Sequence, residues 1–157
     1  LLTDYHRLWR GKLATYFMFL FIHATELDDA YLCLVTTKGV VFAQKKIYFP
    51  PSGHKDLLGA LADLLKKKGK KVSALAGICV VNGPGRFSFL RSGIILANTL
   101  GFALKILIVG IHKDDFKTKN DFIKKGLEKL KKQKKFVLVV PEYGKEPNIT
   151  KPVDSSK

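Results

Sequence analysis

The sequence predicts an α/β fold, a mixed sheet with flanking helices in the order βββαβαβ. Three observations carry that reading. Three β-rich runs crowd the first third of the chain, a Gly-Pro-Gly turn joins a short β-branched run to a long apolar segment of helical period, and a second β-branched run follows at once.

Tyr16 to Ala24, Ala30 to Thr37 and Val40 to Tyr48 are the first three strands, with Lys38-Gly39 suited to a hairpin turn between the second and third. Pro50-Pro51-Ser52-Gly53 closes this meander. From His54 to Lys68, Leu57, Leu58, Leu61, Leu64 and Leu65 recur on one broad face, the pattern of an amphipathic helix. Ala76 to Val81, β-branched and bounded by glycine, reads as a buried strand. Beyond Asn82, Gly83 and Gly85 can take backbone angles closed to other residues, while Pro84 fixes its own φ and pushes Gly83 toward an extended conformation. Phe87 to Leu104 then carries Leu90, Ile94, Ala97, Gly101 and Leu104 at helical spacing without a proline. Ile106 to Gly110 is the next strand, Asn120 to Lys134 a basic helix and Phe136 to Val140 a last strand.

A chain of 157 residues is long enough to bury a proper core, and one domain is the default. Its formal net charge of +15 is concentrated in Lys66 to Lys71 and Lys117 to Lys135. Such a balance suits a polyanion partner, although no nucleic-acid-binding module is recognisable and a merely solvated lysine face is the plainer alternative. Cys33 and Cys79 lie in apolar runs without metal-ligand spacing, as buried thiols of a reducing compartment do. No stretch reads as a signal peptide, and Ser88, Arg91, Ser92, Asn98 and Thr99 interrupt the one segment that approaches a membrane span. The expected location is the cytoplasm, with no membrane partner.

The segment GPGRFSFLRSGI resembles the hallmark of the TsaB (YeaZ) family of the tRNA threonylcarbamoyladenosine pathway, which reads roughly GPGSFTGLRIG. Gly83, Pro84, Gly85, Phe87, Leu90, Arg91 and Gly93 fall on that pattern. The resemblance runs over residues 16–111 and, more loosely, over 136–152, where Pro141-Glu142-Tyr143-Gly144 and Glu146 to Pro152 look like the family's closing segment. It implies the half-unit of the actin and sugar-kinase (ASKHA) superfamily, three antiparallel strands followed by α-β-α-β. The implied division is an N-terminal extension at 1–15, an ASKHA-like domain at 16–111, and at 112–157 a strongly reduced remnant of the second domain that relatives carry.

Candidate sites follow from the residues and from the resemblance together. In the superfamily the first hairpin presents a carboxylate to metal-bound nucleotide phosphates; here the segment is Ile22-His23-Ala24-Thr25, which lacks the hard oxygen ligand magnesium prefers. Asp28 and Asp29 come later, where they suit a solvated turn. His54, where relatives commonly have histidine, has no second ligand at metal spacing and suits a structural role at its helix start. The loop Gly83, Pro84, Gly85 and Arg86 has two readings, a phosphate cradle at a helix start or a tight packing joint. Arg86 and Phe89 put bulk where the family often keeps small residues, which favours packing. The helix from Phe87 is apolar around most of its circumference, so part of it needs cover beyond one sheet, either wholly internal with the help of the His54 to Lys68 helix or from the helices of another protein. The resemblance implies that this helix and the one before it form a partner interface, with Leu57, Leu58, Leu61, Leu90, Arg91, Ile94 and Asn98 as its candidate residues.

These expectations combine into a subunit without catalytic residues, metal or cofactor of its own. It would bind and activate a TsaD-like enzyme that threonylcarbamoylates the adenosine next to the tRNA anticodon, while ATP and metal serve the partner subunits. A TsaE-like ATPase, a homodimer and tRNA contact through the lysine-rich surface are further partner expectations. The rivals are a reduced ATP-binding phosphotransferase, a peptidase-like enzyme and a stand-alone basic RNA-binding module.

Overall fold

The computed structural model describes residues 17–26, 30–48 and 56–144. Within them the chain runs β1 (Met18–His23), β2 (Tyr31–Thr36), β3 (Val41–Lys46), α1 (Leu57–Lys67), β4 (Leu75–Gly83), α2 (Phe87–Leu104), β5 (Leu107–His112) and α3 (Lys119–Lys132). Short 3₁₀ turns precede β4 and follow β5. The five strands form one sheet in the order β3-β2-β1-β4-β5. β1 pairs antiparallel with β2 and β2 with β3, whereas β1 and β4, and β4 and β5, run parallel. The βββαβαβ order and the mixed sheet predicted from the sequence are therefore present.

Strand alternation divides the core in two. Leu20 and Ile22 of β1, Leu32 and Leu34 of β2, and Ile78 and Val80 of β4 face one side, where α1 and α2 cover them. Phe19, Phe21, Cys33, Val35, Cys79 and Val81 face the other, under Phe122, Ile123, Leu127 and Leu130 of α3. Because both faces are covered, the central strands read as continuous apolar runs rather than as alternating ones. His23 is part of this second layer. It is buried, stacked on Tyr31 with centroids 5.0 Å apart, and set edge-on to Phe116 and Phe122. The residue standing where superfamily members place a carboxylate thus packs among aromatic rings.

The helices start and stop for local reasons. Asp56 caps α1 by accepting the Gly59 amide at 2.6 Å, and Lys45 of β3 reaches Asp63 on the outer face of α1 at 3.0 Å. That ion pair holds the exposed Asp63 carboxyl below its ordinary range, first through the hydrogen bond and then through the lysine's charge. Lys105 ends α2 in the left-handed region at φ 54°, and the Ile106 amide returns to the Gly101 carbonyl at 3.0 Å. Thr118 caps α3 through the Asp121 amide at 3.1 Å. His54, Asp28, Asp29, the Pro50 to Gly53 turn, the 1–15 extension and everything after Gly144 lie outside the described residues.

One strand prediction needs correction. Phe136 to Val140, although rich in β-formers, does not join the sheet. It is an extended strap that carries the chain from α3 to the α2 side of the sheet. Its backbone pairs with a side chain instead of a strand: Asn98 of α2 donates to the Val139 carbonyl and accepts from the Val139 amide, both at 2.9 Å. A two-bond amide clamp satisfies the backbone as a ladder would, and crossing the sheet edge precludes running along it.

The cysteines follow the burial expected of them. Desolvation pushes the Cys33 thiol up to about 11 against an opposing pull from Lys119, and fully buried Cys79 is raised well above its ordinary value by the same cause. The folded state therefore holds these protons more tightly than the unfolded chain. Their stabilising contribution is intact below the ordinary value of 9.0 and declines as pH rises through 11. At pH 8 both thiols should resist an aromatic disulfide reagent in the native protein and react promptly in denaturant, which a colorimetric thiol count checks.

Candidate functional site

The Gly-Pro-Gly loop is built between two segments distant in sequence. Below it, the Arg86 amide donates to the Thr25 carbonyl at 2.9 Å, just past the end of β1. A Cβ on Gly85 would lie 2.7 Å from the Thr25 Cβ, so only glycine lets the loop come this close. Above it, the strap returns: the Glu142 amide donates to the Asn82 carbonyl at 2.7 Å, and the Asn82 side-chain amide donates to a Glu142 carboxylate oxygen at 3.1 Å. Gly83 sits at φ 139°, and a side chain there would collide with the Glu142 carbonyl. The expectation of an extended Gly83 thus becomes a positive φ that glycine alone accepts readily.

The parallel strands β4 and β5 end at this loop, and His112 stands beside it. Its Nδ1 accepts the Asp114 amide at 3.3 Å and lies 3.5 Å from the Asp114 carboxylate, while its Nε2 lies 3.4 Å from a Glu142 carboxylate oxygen. His112 and Asn82 together hold Glu142 over the loop. At the start of α2, Tyr143 stacks on Phe87 with centroids 4.9 Å apart, and the Arg91 guanidinium lies 5.1 Å over the same ring. Arg86 lies over the Phe89 ring at 5.6 Å.

Chemically, this arrangement packs more than it cradles. The Arg86 amide is already spent on Thr25, and the carboxylate of Glu142 overlies the turn where an anion would have to approach. Among the described residues, no group of three or more His, Cys, Asp or Glu side chains is placed to hold a metal ion. Thr25 Oγ1 is buried beneath the loop without a hydrogen-bond partner among those residues. Replacing Thr25 with valine keeps the shape and removes an unpaired hydroxyl, so it should leave stability unchanged or raise it by about 1 kcal/mol, readable as a higher urea midpoint at constant slope.

The predicted interface residues separate into two groups. Leu57, Leu61, Leu90 and Ile94 belong to the core between α1, α2 and the sheet; Leu90 is 1% exposed and Ile94 3%. They cannot form a contact surface, because their apolar area is already used internally. Leu58 and Arg91 are exposed, and Asn98 is tied to the strap. The open face of α2 instead presents Phe87, Ile95 and Phe102, which are 57%, 55% and 76% exposed. At 100° per residue these three and Arg91 fall within an arc of about 80°. The strap adds Tyr143 against Phe87 and Phe136 6.5 Å from Phe102, and its Leu138 and Val140 are exposed as well. Leu90 and Ile94 thus face inward, a direction the sequence leaves open, since periodicity marks a face without saying which of two apolar faces meets the sheet.

The family model for TsaD, tRNA N6-adenosine threonylcarbamoyltransferase, matches residues 53–129, a span that holds α1, the loop, α2 and β5. No curated protein matches the chain significantly. Among solved structures, YeaZ from Pseudomonas aeruginosa superposes with a TM-score of 0.53 at 24% identity, over 61% of this chain and 44% of that one. The fold is YeaZ (TsaB)-like. A second structure, described as an uncharacterized protein with similarity to peptidase YEAZ from Pseudomonas aeruginosa, gives the same TM-score and identity over 61% and 43% of the two chains. What is shared is the fold, and the chain spans less than half the length of either matched structure.

Proposed function

We propose that this YeaZ-like chain is a TsaB-type subunit that binds and activates a TsaD-like enzyme, supporting threonylcarbamoylation of the adenosine next to the tRNA anticodon, and that it does no chemistry itself. The observation that carries the reading is the outward apolar face of α2, with Phe87, Ile95 and Phe102 exposed on a helix whose inward residues are already fully used. Single exposed apolar residues are ordinary, but a strip that the strap extends through Tyr143 on Phe87 and Phe136 beside Phe102 marks a surface meant to be covered. α2 is long and apolar enough to span a bilayer by composition. Its inward side, however, contains Leu90, Ile94 and Ala97 against the sheet, which suits a core helix with one interface face.

The absence of chemistry in this proposal draws support from the side chains that might have supplied it. Cys33 and Cys79 are buried thiols with raised pKa, poor as nucleophiles, and His112 is engaged by the Asp114 amide and the Glu142 carboxylate. ATP and metal then belong to the partner subunits, with a TsaE-like ATPase as a further member of the assembly. Without its partner the same face pairs with a second copy of the chain.

The test is to mix the purified chain with the TsaD-like protein of the same genome and measure mass by light scattering. A one-to-one complex and faster formation of modified tRNA in a reconstituted reaction are expected. Unchanged masses together with an unchanged modification rate would sink the reading.

A further inference from the structure

The lysines of α3 are not equivalent. Lys119 donates to Gln44 at 2.7 Å and lies 4.9 Å over the Tyr31 ring; Lys125 pairs with Asp121 and with the Asp115 carbonyl; Lys129 donates to the Gly110 carbonyl at 2.6 Å. These three fasten the helix to the sheet and its loops. Lys124 and Lys131 lie one heptad apart, about 10 Å along the axis, on the flank that turns toward the β2–β3 hairpin. Lys38 at the tip of that hairpin faces them across an open groove of about 300 Å³, floored by Ile123 and Leu127. Among the described residues Glu128 is the single carboxylate in its lining, and Lys38 and Lys124 have no ion-pair or hydrogen-bond partner.

We propose that this groove, formed by Lys38, Lys124 and Lys131 between the β2–β3 hairpin and α3, binds the phosphate backbone of RNA. Three ammonium groups on a helix and a fixed turn offer point charges along a line, which suits phosphates and reads no sequence. Among the described residues no aromatic side chain lines the groove, so bases find no stacking platform there and the interaction is one of charge. The groove and the apolar face of α2 lie on opposite sides of the sheet, since α3 covers one layer of the core and α2 the other. A protein partner and an RNA can therefore be held at once without competing. The inference takes from the proposed function only the choice of tRNA as the RNA.

The experiment is a fluorescence-anisotropy titration of an unmodified tRNA transcript with the full chain, without any protein partner, at several salt concentrations. With three phosphates neutralised, affinity should fall roughly 20- to 40-fold between 50 and 200 mM salt. Lys38→Glu with Lys124→Glu should weaken binding at least tenfold and lower the salt slope by about two. Lys66→Glu with Lys67→Glu, an identical charge change on α1 at the other face, should change it less than threefold, and thermal unfolding of each variant verifies its fold. If the groove pair fails to fold, Lys38→Gln with Lys124→Gln replaces it, with the slope again reduced by about two. Equal losses from the two faces, no loss from the groove pair, or polyglutamate binding as tightly as tRNA at matched charge would overturn the proposal, the last in favour of an acidic protein. Binding to a TsaD-like protein is measured separately, so the failure of either reading leaves the other standing.

Discussion

Replacing Phe122 with alanine should lower the unfolding free energy by about 4 kcal/mol. Phe122 is fully buried and is the side chain through which α3 meets the centre of the sheet. Its ring sits edge-on to Phe21 with centroids 5.2 Å apart and stacks on Phe116 at 4.7 Å, so removal forfeits two aromatic pairings as well as apolar area. The surroundings have little room to collapse. Phe21 is held by β2 and β4 on either side of β1, and Gly126, one turn along α3, already brings the helix backbone so near that a Cβ there would lie 2.5 Å from Phe21. A loss of that size is about a quarter or more of the stability an ordinary domain possesses. Urea unfolding should show the midpoint fall with the slope unchanged, whereas Phe102→Ala, on the exposed face of α2, should shift it by less than about 0.5 kcal/mol. A Phe122→Ala loss below about 1 kcal/mol would mean that α3 does not seat on the sheet as described, and the groove beside it would then lack its fixed wall.

Much of this fold could be read from residue order because local signals agree with one another. The continuous apolar runs of β1 and β4 are what strands covered on both faces require, and the Gly-Pro-Gly turn marks the one place where chain from three regions converges. What could not be read depended on pairs remote in sequence. Phe136 to Val140 has strong strand propensity, but Asn98, 41 positions away from Val139, supplies both hydrogen bonds that a neighbouring strand would have given. Glu142 lies in a segment the resemblance marks, yet its position over the loop comes from Asn82 and His112, neither of which the spacing singled out. His23 invited a question about lost metal ligation, and its aromatic surroundings become visible only when β1, β2 and α3 are brought together. The candidate interface residues divide between core and surface for a related reason. An all-round apolar helix has no preferred inward side until the sheet is placed against it, so Leu90 and Ile94 carried the same signal as Ile95.

That distinction sets the sharpest test of the partner surface. Ile95→Asp should weaken the complex with a TsaD-like protein about thirtyfold or more, the loss of an apolar anchor of at least 2 kcal/mol at the centre of an interface. It should barely touch the fold, because Ile95 is 55% exposed and an aspartate there stands four residues from Arg91, at the spacing of a favourable helical pair. Leu90→Asp would also abolish binding, but by placing a charge within the core, so its failure would locate nothing. The two variants are separated by circular dichroism melting before any binding is measured: Ile95→Asp should melt within a few degrees of the parent, and Leu90→Asp far below it. Titrations of the partner then decide the surface. A weakened complex with an intact fold places the interface on the outward arc of α2, and conversion of the isolated chain to a monomer by the same change would show that a second copy covers that arc when the partner is absent. An unaltered affinity would remove α2 from the interface altogether, since a charge in the middle of a covered apolar strip cannot be neutral.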